Sequence, residues 1–510
     1  MKKNNILFIL SLLALSLSAV GCSGNTNAGN TETAAASSNT AAVSSDEVKE
    51  VEYAEPEANV PDNEYNEYIN SLPGVTASMT NAEFWLDDDS DVILRTPAEI
   101  EAFNKELYNT EGTDMCDLTS ISETFDDYAY REELSDFEYP VGLYVSGNAV
   151  GKDYFDAIKY NILSQERMQS HENNDDSEDN NESDEELSTV SYGIITQRTL
   201  MKELPYSDIL SDTPGDPEYD EYCATALHVN EPAVVYIWSE DGNYCYVQAQ
   251  YYSGWIPSAD IAICKSRDEW MSAWNFQNFL VVTASEFRLE ESNNNPVAAT
   301  LMLDMGTRLE LSDNTGMVDD RYGYYNYRVY IPYRDEDGYY AKREALVPIN
   351  REVSVGYLPL TERNILTQAY KCLGNRYGWG GMLDSQDCSA FTREVYACFG
   401  YNLPRNTGSQ TASTMEKYDL SGLSANEKYS ILDNAHAGSL LFIPGHTMMY
   451  LGKFNGEYYT INACGILGAA NGNGEIVGTR VRTVIINSLS SSYRSDGSVW
   501  TDALTYVMVP

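Results

Sequence analysis

The stretch DSQDCSAFTREVYACFGYNLPRNTGSQ, Asp384 to Gln410, places two cysteines on what reads as one short helix and the turn before it. Asp387 is a good N-cap, Phe391, Val395 and Phe399 form an apolar helical stripe, and Gly400 suits the position after the last turn. Cys388 then stands at the helix N-terminus, where backbone N–H groups and the helix dipole favour a thiolate. Cys398 sits in the last turn, where that field has the opposite sign. Cysteine is often buried for packing alone, and this is the reading left for Cys398. One cysteine is placed to react and the other to pack.

A cysteine nucleophile needs a base, and histidine is the usual one. The chain has four: His171 in an acidic run, His228 in a region of short strands, and His436 and His446 near the C-terminus. Only His446 opens an apolar strand pattern directly after a Pro-Gly turn. In the following GEYYTINACG, alternation puts Tyr458, Thr460 and Asn462 on one face. Asn462 is either a strand-end polar residue or the group that orients the His446 ring, which would give a Cys–His–Asn arrangement in the papain sense.

At 510 residues the chain is too long for one core. A formal net charge of −46 argues against nucleic acid as a partner, since nothing neutralises phosphates. The N-terminus, MKKNNILFILSLLALSLSAVGC, has two lysines, an apolar run too short to span comfortably, and small residues, as a secretory signal does. Its ending, Ala19-Val20-Gly21-Cys22, resembles a bacterial lipobox with Ala19 where Leu is usual. Cys22 is thus expected to carry a lipid anchor, the alternative being a plain cleaved signal; diacylglycerol supplies the two chains that stable anchoring needs. The other eight cysteines are scattered without a CxxC, so neither a disulfide framework nor a zinc site is indicated.

Composition divides the rest. After residues 1–22, residues 23–75 read as a flexible tether, and 76–170 as an ordered N-terminal segment whose helix starts at Thr96-Pro97 with Glu99. The acidic run at 171–188 reads as a disordered surface insertion, since it lacks the glycine-turned loop of a calcium site. Residues 189–266 read as a small all-β barrel around a hairpin at Asp241-Gly242. Residues 267–352 read as a second, with Tyr327, Val329, Ile331 and Tyr333 on one face. In residues 353–510 helices precede a run of strands, an α+β signature. The expected architecture is therefore multidomain: two barrels and a C-terminal α+β domain.

RYGWGG (Arg376–Gly381), DCSAF (Asp387–Phe391), LPRNTGSQ (Leu403–Gln410), GHTMMYLG (Gly445–Gly452) and INA (Ile461–Ala463) follow the order and spacing of NlpC/P60 cysteine peptidases. The chain resembles that family, in its dipeptidyl-peptidase VI-like, three-domain branch. The segment around FWLDDDSDVILRTPAEIEAFN is similar to the stabilising segment of that branch. PAVVYIWSEDGNYCYVQAQYYSGWIPSADIA is similar to the first of its two bacterial SH3 (SH3b) domains.

The resemblance implies a papain-like catalytic domain that hydrolyses peptidoglycan stem peptides or muropeptides between γ-D-glutamate and a diamino acid, diaminopimelate or lysine. Residue by residue it implies Cys388 as nucleophile, His446 as base, Asn462 as orienting residue (many members have His there) and Tyr377 as oxyanion donor. Asp387 and Ser389 match positions that hold a free N-terminal L-alanine ammonium, with the first SH3b domain closing that end. Trp379 is expected beside the substrate; Arg405 and Gln410 match the motif and are either substrate contacts or structural. Ala390 replaces the commoner Gly. The chemistry requires no cofactor and no metal. The expected location is the bacterial cell envelope, membrane-anchored through Cys22. Two other readings remain: a non-catalytic, lipid-tethered wall-binding SH3b protein, and a papain-like amidase or acyltransferase. Nothing in the sequence sets an oligomeric state.

Overall fold

The computed structural model describes residues 71–175, 187–290 and 301–510. The expected signal segment, Cys22, most of the tether and residues 176–186 of the acidic insertion lie outside them. Among the described residues no helix is long and apolar enough to cross a membrane.

The N-terminal segment straps the other units together. Order begins before residue 76: Val75 is buried, and Tyr459 donates to the Gly74 carbonyl at 3.0 Å. Thr96 and Glu99 form a capping box at the start of α1 (Pro97–Leu107). This helix buries Ile100 against the C-terminal domain and Leu107 against the first barrel. Helices α2 (Asp127–Ser135) and α3 (Lys152–Ile162) pack Phe155, Ile158 and Ile162 near Trp255 of that barrel. Helix α4 (Gln165–Asp175) runs into the acidic insertion, because Gln-Glu-Arg-Met favours helix and no Gly or Pro intervenes. His171 accordingly stacks on Tyr128, with centroids 3.7 Å apart, rather than lying in a disordered run.

The first barrel is an antiparallel sheet of β1 (Ser191–Ile195), β2 (Thr199–Lys202), β3 (Cys223–Leu227), β4 (Pro232–Trp238), β5 (Tyr244–Gln248), β6 (Ser253–Pro257) and β7 (Ile261–Cys264), in the order β7-β1-β4-β5-β6-β2-β3. The Asp241-Gly242 turn joins β4 to β5 as expected. Helix α5 (Arg267–Trp274) belongs to this barrel, not to the second: Trp270 is fully buried and its Nε1 donates to the Gly193 carbonyl at 3.1 Å. The boundary thus lies past residue 266.

The second barrel contains a three-stranded sheet, β8 (Phe279–Val282) between β14 (Val353–Val355) and β11 (Arg308–Glu310), and the strand pairs β9 (Glu286–Arg288) with β10 (Met302–Asp304) and β12 (Asn326–Arg334) with β13 (Tyr340–Pro348). Leu280, Val282, Leu309, Val329, Ile331 and Val347 fill it. It extends to Val355 because β14 pairs back onto β8.

The C-terminal domain places α6 (Glu362–Lys371) and α7 (Cys388–Ala397) against an antiparallel sheet. Its strands are β15 (Glu416–Asp419), β16 (Leu440–Ile443), β17 (His446–Phe454), β18 (Glu457–Ala470), β19 (Ile476–Ser488) and β20 (Tyr506–Val509), in the order β15-β20-β16-β17-β18-β19. The stripe Phe391, Val395 and Tyr396 of α7 shares a core with Met449 and Ile461 of the sheet. Cys398 is buried beneath the Val282 carbonyl of the second barrel, the packing role expected of it. At Gly306, with φ +86°, a Cβ would lie 2.5 Å from Ala397 Cβ, so only glycine lets the second barrel meet the end of α7.

Charged side chains are buried where the three units meet. His228 Nε2 of the first barrel lies 3.5 Å from Glu394 Oε1 of α7 and 3.7 Å from Asp304 Oδ2 of the second barrel. Arg198 pairs with Asp304 at 3.1 Å, Arg393 with Glu231 at 3.3 Å, and Gln386 donates to Glu394. Burial, and then the Asp304 charge, push Glu394 up to about 8, while burial holds His228 down to about 3. Between the ordinary carboxylate range and about 8 the fold holds a Glu394 proton that the unfolded chain has released, so this group's contribution to stability falls as pH rises. His228 acts in the opposite sense, but only below its ordinary value of 6.5. From pH 6.5 to 8 His228 adds nothing to the Glu394 effect. Thermal unfolding of Glu394→Gln beside the parent protein is expected to shift in the variant's favour across that window, by up to about 2 kcal/mol. A difference independent of pH would contradict this.

Candidate active site

Asp387 starts α7: its Oδ1 accepts from the Ala390 N–H at 2.9 Å, which makes Cys388 the first helical residue. Cys388 is 8% exposed. Its Sγ lies 3.8 Å from Thr407 Oγ1 and accepts from the Thr447 backbone N–H, next to His446 at the start of β17.

The other face of His446 is fixed. Its Nε2 lies 3.0 Å from Asn462 Oδ1, and the Asn462 amide is itself oriented, donating from Nδ2 to Asn487 Oδ1 at 2.7 Å. Asn462 therefore presents an acceptor, Nε2 carries the hydrogen, and Nδ1 keeps the lone pair a base needs. Trp500 packs on the ring with centroids 5.3 Å apart.

Burial outweighs the helix dipole at the thiol. A helix N-terminus favours an anion by about 0.3–1 kcal/mol. Burial first, and then the adjacent Asp387 charge, push Cys388 from 9.0 up to about 11, equivalent to about 3 kcal/mol. Burial likewise holds His446 down to about 4 against the Asn462 hydrogen bond. Burial thus opposes the charged form of both groups, against the thiolate that helix position favours.

Arg405, Gln410 and Trp379 each have protein partners in the structure. Arg405 is buried behind Asp387. Its Nη1 donates to Asp387 Oδ1 and Ser389 Oγ, both at 2.9 Å, its Nη2 to Asp387 Oδ2 at 2.5 Å, and its Nε to Thr225 Oγ1 of the first barrel at 2.8 Å. Most of its donors are committed there, which holds the Asp387 carboxyl below its usual range despite burial. Gln410 is also internal, donating to the Ser389 and Pro404 carbonyls. Trp379 is half-buried, stacked on Tyr219 of the first barrel with centroids 5.1 Å apart, and its Nε1 donates to the Asp220 carbonyl at 3.1 Å. Asp387 and Ser389 are mutually bonded at 3.2 Å beside the nucleophile. Tyr377 is buried, and its hydroxyl shares a hydrogen bond with Tyr219. The glycines of RYGWGG have a steric cause: a Cβ on Gly380 (φ +55°) would lie 2.7 Å from the Cys223 carbonyl, and one on Gly381 (φ +85°) 2.5 Å from Ala226 Cβ.

Sequence reading missed Tyr219, Thr407, Thr447 and Asn487. Thr407 stands inside LPRNTGSQ and carried a signal; Tyr219 lies in an aperiodic loop and carried none.

A cysteine at a helix N-terminus beside a sheet-borne His–Asn pair defines a papain-like site. Residues 374–501 match the NlpC/P60 family model, and residues 211–257 the model of the SH3 domain (SH3b1 type). The chain thus carries an NlpC/P60 domain joined to an SH3b domain. It is 37% identical over 101 residues to the probable endopeptidase p60 of Listeria seeligeri, 19% of this chain and 17% of that one. It is 35% identical over 101 residues to that of Listeria monocytogenes serovar 1/2a, 19% and 18% of the two chains. The chain therefore spans less than a fifth of the length of these curated relatives. Among solved structures, an NlpC/P60 endopeptidase from Photobacterium damselae subsp. piscicida shares the fold, with a TM-score of 0.63 at 16% identity over 84% of this chain and 96% of that one.

Removing the Arg405 guanidinium leaves a buried carboxylate unpaired. Arg405→Leu is expected to cost about 3–5 kcal/mol in denaturant unfolding. A loss below about 1 kcal/mol would mean that Asp387 is not held by this pair.

Proposed function

We propose that this protein is an exported cell-wall cysteine endopeptidase that hydrolyses the γ-D-glutamyl–diamino acid bond of peptidoglycan stem peptides carrying a free N-terminal L-alanine. The observation that supports the reading is Cys388 at the start of α7, hydrogen-bonded by the Thr447 backbone N–H next to His446, whose ring is oriented by Asn462.

The Cys388 proton passes to His446 Nδ1 as Sγ attacks the γ-carbonyl carbon. Because burial disfavours each charge alone, thiolate and imidazolium form together and sustain one another. The oxyanion is held by the Tyr377 hydroxyl and the Cys388 backbone N–H. As the C–N bond breaks, His446 returns its proton to the leaving amine of the diamino acid. A water, deprotonated by His446, then attacks the thioester, and the acid leaves with Cys388 restored.

The preference for a free amine rests on the match of Asp387 and Ser389 to the positions that hold the alanine ammonium in the family the chain resembles. Asp387 stays ionised, and the first barrel closes in around it: Thr225 bonds Arg405, and Tyr252 donates to Asn406 Oδ1 at 2.6 Å. Export and anchoring at the envelope rest on the N-terminal segment with Cys22.

Cys388→Ala is expected to abolish release of diaminopimelate from L-Ala-γ-D-Glu-diaminopimelate, followed by mass spectrometry, while Cys398→Ala keeps most of it; equal turnover by Cys388→Ala and the parent protein would refute the assignment. N-acetylation of the substrate alanine is expected to lower kcat/KM at least about 100-fold, the loss of a buried charged contact of about 3 kcal/mol. Indifference to acetylation would remove the free-amine requirement and leave the peptidase reading standing.

A further inference from the structure

The loop between β2 and β3 reaches from the first barrel to the catalytic tyrosine. Tyr219 at its tip shares a hydrogen bond with the Tyr377 hydroxyl. Its ring is held on one side by Trp379 and approached on the other by the Arg482 guanidinium, 5.5 Å from the centroid. Residues before and after it are pinned. Asp216 pairs with Arg482 at 3.0 Å and with Arg480 at 3.4 Å, and Glu218 pairs with Arg376 and Arg482. Asp220 is buried against Lys202 at 2.8 Å and accepts from Tyr206 at 2.5 Å. Room for the two hydroxyls comes from Gly465, where a Cβ would stand 3.6 Å from both Tyr219 Oη and Tyr377 Cε1.

We infer that Tyr219 is a positioning residue for the hydrolysis, aiming and strengthening Tyr377 as an oxyanion donor; the inference rests on the role proposed above for Tyr377. A phenol turns freely about its C–O bond, and only one orientation points its hydrogen at the developing oxyanion. In the free site the two hydroxyls satisfy each other. When the tetrahedral intermediate forms, Tyr377 donates to the oxyanion and accepts from Tyr219. A donor that also accepts is polarised and donates more strongly, above all where water is excluded. Burial keeps Tyr377 protonated, well above its ordinary range, so a hydrogen is always present to donate. The first barrel thereby contributes to the chemical step itself as well as to the walls of the cleft.

Tyr219→Phe keeps the stack on Trp379 and removes only the hydroxyl. Steady-state kcat and KM are measured on L-Ala-γ-D-Glu-diaminopimelate for the full chain, Tyr219→Phe, Tyr377→Phe and the double variant. Tyr377→Phe is expected to lower kcat about 100-fold, as loss of an oxyanion donor does. Tyr219→Phe is expected to lower kcat about tenfold, with KM changed less than about twofold, because the contact acts only in the transition state. Added to Tyr377→Phe, it should change nothing further. An unchanged kcat in Tyr219→Phe, a change confined to KM, or the same tenfold loss in the double variant overturns the inference and leaves the Tyr377 reading intact. A fully active Tyr377→Phe overturns both roles, and a parent protein inert on the tripeptide overturns the proposed function with them.

Discussion

The Asp387 carboxylate is the constraint on which the site depends. It caps α7, accepts from the Gly380 N–H, pairs with Arg405 through two nitrogens and bonds Ser389. The first of these sets where the helix begins, and so where Sγ stands. The second fixes the turn carrying Tyr377 and Trp379. The third links, through Arg405 and Thr225, to the first barrel. The same charge raises the thiol, so the group that places the nucleophile also disfavours its ionisation. Positioning and reactivity are set against each other at one side chain, and in the proposed mechanism the oriented imidazole resolves the conflict by accepting the proton during attack.

Around this centre the units are joined by buried polar contacts as well as by shared apolar surface. His228, Asp304 and Glu394 come from three different units and share one buried space, with Arg198 and Arg393 at its edges. A carboxylate pair so placed holds a proton instead of two full charges. This proton binds the second barrel to the back of α7, while the acidic loop and the arginines of β19 bind the first barrel to the front.

Much of this was legible in the chain. The Asp-Cys helix start, the shortage of histidines and the alternation through Asn462 lead to the three residues the structure brings to one place, and capping chemistry located α1. What was not legible has identifiable causes. For Arg405 the sequence leaves a substrate contact and a structural role both open, and only the three-dimensional neighbourhood shows its donors turned inward. Strand β15 is short, fully exposed and charged, so no periodicity marks it. Helix α5 follows the last strand of the first barrel without a break in composition, and what assigns it there is Trp270 beneath Gly193. Tyr219 lies in a loop whose conformation is imposed by distant arginines, a non-local cause that no local pattern records. At Cys388 the helix dipole favours the thiolate and burial opposes it, a competition that helix position alone does not reveal.

The two glycines at positions 380 and 381 have a bearing on how such a chain can change. Their missing side chains leave a hollow in the catalytic domain, and the backbone of β3 fills it. A catalytic domain separated from its barrel would keep every residue of its own motifs and lose the surface against which its tyrosine-bearing turn is shaped. Inheritance of this domain as an independent module therefore has a lasting cost. Whichever partner it acquires must offer a strand of small residues at that hollow, or the turn must be rebuilt by other means. Recombination would tend to move the pair as one unit, and the barrel's own sequence would drift least along the edge that faces Gly380.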